Sequence, residues 1–203
     1  MKKLIIFDLD GVLVDACEWH RLALNKALKE VCNYEISLQD HYSDFNGLPT
    51  KVKLQKLTKL GIVSPVQHEK VNNLKQKFTL EIINTDASRR PEKIKMINHL
   101  KENGCIVACF TNSIRRTAQL MLEKTGVLDS LDKLLTNEDV KNPKPSPEGY
   151  DFLVNHFNFD KENVIIVEDS PKGVQAAAAA GCKVLVVKNP DEVDISLFKE
   201  HLG

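Results

Sequence analysis

A chain of 203 residues supports one sizeable core, or one core carrying a smaller inserted module, and is too short for two domains of ordinary size. Lysine plus arginine and aspartate plus glutamate balance at 28 each, so no bulk charge draws the chain to nucleic acid or to an anionic membrane, and any anion site has to be local. At 42% hydrophobic and 28% charged residues the composition is that of an ordinary globular protein, and no apolar run reaches the length of a membrane span.

Met1-Lys2-Lys3 runs straight into LIIF (residues 4–7), an aliphatic strand pattern, with no small-residue cleavage site after it; the expectation is a cytoplasmic protein without a secretory signal. Beyond Asp15 the pattern changes. From residue 16 to residue 90 no strand pattern occurs, and leucines recur at helical spacing in RLALNKALKEV, VKLQKLTKLG and EKVNNLKQKFTLEII, with Gly61 and Ser64-Pro65 as a stop and a restart. This stretch reads as an inserted helical cap, leaving residues 1–15 and 91–203 as the core domain. Pro91 opens the next helix, KIKMINHLKENG, which ends at Gly104. Four further aliphatic runs follow, CIVACF (105–110), KLL (133–135), VIIV (164–167) and KVLVV (183–187), each separated from the next by a helical pattern. Near-continuous apolar strands alternating with helices predict an α/β protein, a doubly wound parallel sheet covered on both faces. The five cysteines are odd in number and spread along apolar segments, which argues against a disulfide framework and against a zinc site.

In an open parallel sheet, ligands gather at the carboxyl ends of the strands. Polar groups stand there after four of the five runs: Asp8 and Asp10 after LIIF, Thr111, Asn112 and Ser113 after CIVACF, Lys144 in the loop beyond KLL, and Glu168, Asp169 and Ser170 after VIIV. Asp8 and Asp169 at neighbouring strand ends would repel each other unless a cation lay between them, and hard oxygen ligands suit Mg²⁺. The hydroxyl of Thr111, the amide of Asn112, the ammonium of Lys144 and a helix starting near Ser113 would surround an anion, best read as phosphate. A carboxylate beside Mg²⁺ and a lysine stays ionised and can attack phosphorus, which makes Asp8 the candidate nucleophile. Asp10, two residues on and followed by Gly11, is placed to move the protons that a leaving alkoxide and an attacking water require. Taken singly, each feature has an ordinary explanation. Asp-x-Asp-Gly is common in turns, an isolated lysine is usually solvated, and Ser170-Pro171 is also a plain helix start. Their joint placement, each at the end of its own strand, carries the functional reading.

In those four places the sequence resembles the haloacid dehalogenase-like hydrolase superfamily, in the branch of β-phosphoglucomutase and small-metabolite phosphatases. FDLDGVLVD resembles the first motif of that family, FTNS the second, Lys144 within NPKPSPEGY the third and VEDSPKGVQAAAAAG the fourth. The resemblance implies a Rossmann-like core with a helical cap over residues 16–90. It implies Asp8 as nucleophile, Asp10 as general acid and base, and Thr111 and Lys144 as phosphate binders. It also implies Mg²⁺ held by Asp8, Asp169 and the Asp10 carbonyl, with Glu168 at or behind the metal shell.

Asp10 favours phosphoryl transfer over dehalogenation, since a departing halide needs no proton. A mutase of this branch carries an arginine for a second phosphate in the segment that here reads FNGLPTKVKLQKL, and Thr50 stands in its place, with Ala16 where a threonine is usual. His20 and Gly47 match the subfamily pattern and, with Arg115, are the candidate contacts for the rest of the substrate. The expectation is therefore a Mg²⁺-dependent phosphatase acting on a small phosphorylated metabolite, foremost a sugar phosphate, as a monomer. A sugar-phosphate mutase, and a binding or regulatory module that keeps the fold without turnover, stay open as alternatives.

Overall fold

The structure is a computed structural model and describes residues 2–45 and 48–201. It divides into two compact units, Met1–Asp15 with Ser88–Gly203, and Ala16–Ala87.

The first unit is built on one parallel sheet of five strands, β1 (Leu4–Phe7), β2 (Ile106–Phe110), β3 (Lys133–Leu135), β4 (Val164–Glu168) and β5 (Lys183–Val186), in the order β3-β2-β1-β4-β5. The central strand β1 is buried at all four positions, and Leu4 pairs with Ile106 on one side and with Val164 on the other. A strand between two neighbours and under helices on both faces has no polar face to offer, which is why LIIF has no alternation. Side chains nevertheless alternate in direction. Leu4 and Ile6, with Ala108, Phe110, Val164 and Ile166, join Tyr150, Leu153, Ala176 and Ala177 in one apolar cluster, whereas Phe7 packs edge-on against Phe198, ring centroids 5.8 Å apart.

The α-helices of this unit are Pro91–Glu102, Arg115–Thr125, Glu148–Phe157 and Pro171–Ala179. In chain order, after four helices in the second unit, they are α5, α6, α7 and α8. Pro91 and Pro171 both sit in first turns, where the missing N–H costs nothing, and the Ser170 hydroxyl caps α8 by accepting from Gly173 N at 3.1 Å. Lys93 on α5 is buried, and its ammonium donates to the carbonyls of Pro190 and Val193, tying the C-terminal segment to the helical layer.

The second unit is helical among the described residues: α1 (Cys17–Cys32), α2 (Leu38–Asp40) running into a wider π turn, α3 (Thr50–Lys59) and α4 (His68–Asp86). Leu24, Leu28, Leu54, Leu57 and Val71 fill its core, and Asn25 ties down the turn after α1 by bonding both the N–H and the C=O of Ile36. A box between Ser64 and Gln67 starts the segment that leads into α4. Among the described residues no helix is long and apolar enough to cross a membrane.

Two predictions follow from this packing. Ile6→Ala, at a fully buried position of the central strand, lowers the unfolding free energy by about 2–5 kcal/mol in denaturant titrations. His41, buried in the second unit, is held down to about 4 from 6.5 by burial, then by Lys53 and Arg21, against a smaller opposing effect of Glu18. The unfolded chain therefore binds the extra proton first. The stability contributed by neutral His41 is complete above about pH 6.5 and lost as pH falls toward about 4. Fluorescence of Trp19, the sole tryptophan, reports this unit, and His41→Phe should flatten the acid limb.

Candidate active site

The site is assembled on the face shared by Leu4 and Ile6. Asp8 continues the ladder past β1, its N–H donating to Val167 O at 2.9 Å, so period two carries its side chain to the face of Ile6. β4 runs one residue further than the aliphatic run VIIV and ends at Glu168. Glu168 consequently shares the face of Ile166 and is fully buried, whereas Asp169 lies at the exit of the strand.

Lys144 lies between these strand ends. Its ammonium donates to Asp8 Oδ1 at 2.6 Å, Glu168 Oε1 at 2.6 Å and Phe110 O at 2.8 Å. Those bonds use all three ammonium hydrogens, so an arriving phosphate oxygen has to share or replace one of them. The backbone of Lys144 is fixed by Asn112, whose side chain accepts from Lys144 N at 3.0 Å and donates to Lys144 O at 3.1 Å. Both ends of the Asn112 amide are thereby occupied. In this structure it orients Lys144, and the second N–H of its amide is not used by these two bonds.

Asp10 reaches the site through a turn. β1 stops at Phe7, and residues 9–14 turn back on themselves through Gly11 N→Val14 O at 2.7 Å and Val14 N→Leu9 O at 3.0 Å. Gly11 has φ +87°, and a Cβ there would run into the Asp169 carboxylate, so only glycine fits the turn. The Asp10 carboxylate accepts from Ser113 Oγ at 2.9 Å and from Thr111 Oγ1 at 3.3 Å, while Thr111 Oγ1 itself accepts from Ser113 N.

Charge is unevenly matched here. Asp8 and Glu168 bond the ammonium of Lys144, and Asp10 and Asp169 add their charge to the same cluster. Burial and then the neighbouring carboxylates push Asp169 up to about 7. Burial also lifts Asp8 well above the usual carboxylate range, against the pull of Lys144. For Lys144, burial works against the charge, but Asp8 and Glu168 outweigh it and keep the lysine protonated. Oxygens of Asp8, Glu168 and Asp169 all lie within 4.8 Å of one another, and Asp169 Oδ1 is buried without a hydrogen-bond partner among the described residues. An orphaned carboxylate oxygen among hard donors with excess negative charge fits a divalent cation.

Arg115 pairs its guanidinium with Asp139, and its N–H donates to Glu138 Oε2 at 2.5 Å. No hydrogen bond among the described residues joins it to the cluster. Helix α6 starts at Arg115, two residues after Ser113, and Glu138 accepts from the N–H of its first residue. The reason is the turn Asn137–Asp139 after β3, whose two acids the sequence gives no reason to place there. His20 belongs to the second unit, where its Nδ1 lies 3.2 Å from Lys75 Nζ. Gly47, with Asn46 beside it, lies outside the described residues.

Sequence reasoning missed Tyr150 and passed over Phe110. Tyr150 OH donates to Glu168 Oε1 at 2.5 Å, and the Lys144 ammonium stands 4.8 Å from the Phe110 ring and 5.1 Å from the Tyr150 ring. The one available signal was Tyr150 in the first turn of a helix opening four residues after Lys144. A buried tyrosine needs an acceptor, but which acceptor depends on the fold.

Carboxylates and a buried lysine at the carboxyl ends of parallel strands, with a helical unit inserted after the first strand, define a class of α/β hydrolase. The family model of the haloacid dehalogenase-like hydrolases matches residues 5–187, and the chain belongs to that family. Phosphoglycolate phosphatase of Haemophilus influenzae is 28% identical over 203 residues, covering 90% of this chain and 84% of its own length. A phosphorylated carbohydrates phosphatase of Thermotoga maritima is 26% identical over 180 residues, covering 87% and 81%. Among solved structures, CbbY of Rhodobacter sphaeroides in complex with phosphate superposes with a TM-score of 0.80 over 92% of this chain and 86% of that one, at 21% identity, a likeness of fold. The chain is thus an enzyme of the small-metabolite phosphatase branch, a phosphoric monoester hydrolase by class.

The charge imbalance yields a prediction that needs no substrate. Saturating Mg²⁺, at about a hundred times its dissociation constant, stabilises the folded protein by roughly 2.7 kcal/mol in thermal or chemical unfolding. Asp169→Asn abolishes that response while leaving the metal-free protein at least as stable as the wild type.

Proposed function

We propose that this hydrolase is a Mg²⁺-dependent phosphatase that releases phosphate from a small phosphorylated metabolite, foremost a sugar phosphate, through an aspartyl-phosphate on Asp8. The observation that carries the reading is the buried contact of Lys144 with Asp8 at 2.6 Å, beside the Asp8, Glu168 and Asp169 cluster.

Asp8, Asp169 and the backbone carbonyl of Asp10 would hold the metal, with Glu168 behind them. When bound, Mg²⁺ supplies positive charge against the phosphoryl oxygens. Lys144 pulls Asp8 toward its ionised form against a burial that favours the protonated one, and a bound cation would add to that pull. An Asp8 oxygen bonds to phosphorus as the bond to the leaving alkoxide breaks, and Asp10, oriented by Ser113 and Thr111, gives that alkoxide its proton. A water then attacks phosphorus and passes its proton to Asp10, inorganic phosphate departs, and Asp8 returns as a carboxylate. Thr111 orients Asp10 and stands beside the phosphate.

The helical unit takes the part of a cap and carries substrate choice, with His20 and Gly47 among its contacts. Thr50 at the place of the mutase arginine favours hydrolysis over isomerisation. A single chain acting in the cytoplasm belongs to the same reading.

Hydrolysis of an aryl phosphate tests it. Asp8→Asn and removal of Mg²⁺ by chelation should each abolish turnover, and Asp10→Asn should lower kcat by on the order of 10²–10⁴. Wild-type turnover in Asp8→Asn, or indifference to the chelator, refutes the mechanism. Conversion of one sugar phosphate into its isomer without phosphate release would instead identify a mutase.

A further inference from the structure

We infer that Tyr150 is a positioning residue for this reaction, sharing Glu168 with Lys144 so that the ammonium stays on Asp8. The inference rests on the phosphatase reading above and deepens it.

Glu168 Oε1 accepts two hydrogens, one from Lys144 at 2.6 Å and one from Tyr150 OH at 2.5 Å. A fully buried carboxylate competes strongly for a neighbouring ammonium, because no water offsets its charge. The Tyr150 hydroxyl takes up part of that charge and leaves Lys144 divided between Glu168 and Asp8. The ring adds a second restraint. Phe110 and Tyr150 meet edge to face, centroids 5.1 Å apart at 88°, and both rings stand against the ammonium. Gly149 is what admits this wall, since a Cβ on it would collide with the Phe110 ring and push α7 outward. Glu168 is hemmed in from its other side, where a Cβ on Gly173 would fall on its carboxylate. Held there, Glu168 cannot follow Lys144, so the hydroxyl decides where the ammonium rests.

A core tyrosine that has merely found an acceptor would look the same in a static structure, and the test separates the two. Tyr150→Phe keeps the ring and its volume and removes one oxygen. With an aryl phosphate at saturating Mg²⁺, kcat should fall roughly tenfold to a hundredfold, with KM within about twofold and the melting temperature little changed. Unchanged kcat overturns the inference even if stability drops. So does a loss that disappears at higher Mg²⁺, since Glu168 would then be serving the metal. A crystal structure of Tyr150→Phe makes the same test without turnover. Lys144 Nζ drawn out of hydrogen-bond reach of Asp8 supports the inference, and an undisturbed contact overturns it. Absence of phosphatase activity in the wild type would refute the broader reading and leave this structural comparison to decide the role of Tyr150.

Discussion

An ammonium buried among carboxylates sets the terms for everything around it. Lys144 has lost its water and regains three acceptors, Asp8, Glu168 and the carbonyl of Phe110. A buried ion is tolerable only with good geometry and with every hydrogen used. The neighbouring residues enforce that geometry: Asn112 grips the lysine backbone on both sides, Phe110 and Tyr150 stand against its side chain, and Gly173 leaves room for the Glu168 carboxylate. The sheet supplies the two carboxylates by alternation alone, since Asp8 follows Ile6 and Glu168 follows Ile166 on the same face.

Among the described residues one ammonium faces four carboxyl groups, and that excess of negative charge fits a cation. Asp169 is raised to about 7, and one of its oxygens is buried with no donor among the described residues. Both features fit a further positive charge beside this cluster. The nucleophile and the proton carrier are then separated by their surroundings. Asp8 is buried against Lys144, and Asp10 is partly exposed and held by two hydroxyls on the next strand's loop. Two acids on either side of a single leucine acquire different chemistry because the strand ends before the second of them.

The fold was legible because the strands are short aliphatic runs with polar residues at their carboxyl ends, and the proline and serine punctuation marked helix starts at Pro91 and Pro171. The four-motif resemblance made Asp8, Asp10, Thr111, Lys144 and Asp169 readable as candidates. Three things escaped. Glu168 and Asp169 are adjacent in sequence yet differ in burial because β4 extends one residue past its aliphatic core. Arg115, a candidate substrate contact, is paired with Asp139 in the turn after β3, and nothing local announces that pairing. Tyr150 depends on α7 packing across the sheet onto Glu168, a relation between distant segments that periodicity cannot report.

The central claim is that Lys144 is the charge against which Asp8 and Glu168 are buried. The most direct measurement is the unfolding free energy of Lys144→Met, alone and combined with Glu168→Gln. The account predicts that Lys144→Met destabilises the protein by about 3–5 kcal/mol, because it strands two buried carboxylates, and that Glu168→Gln in the same chain recovers a substantial part of the loss. Lys144→Met as stable as the wild type, or no recovery in the double variant, would contradict it.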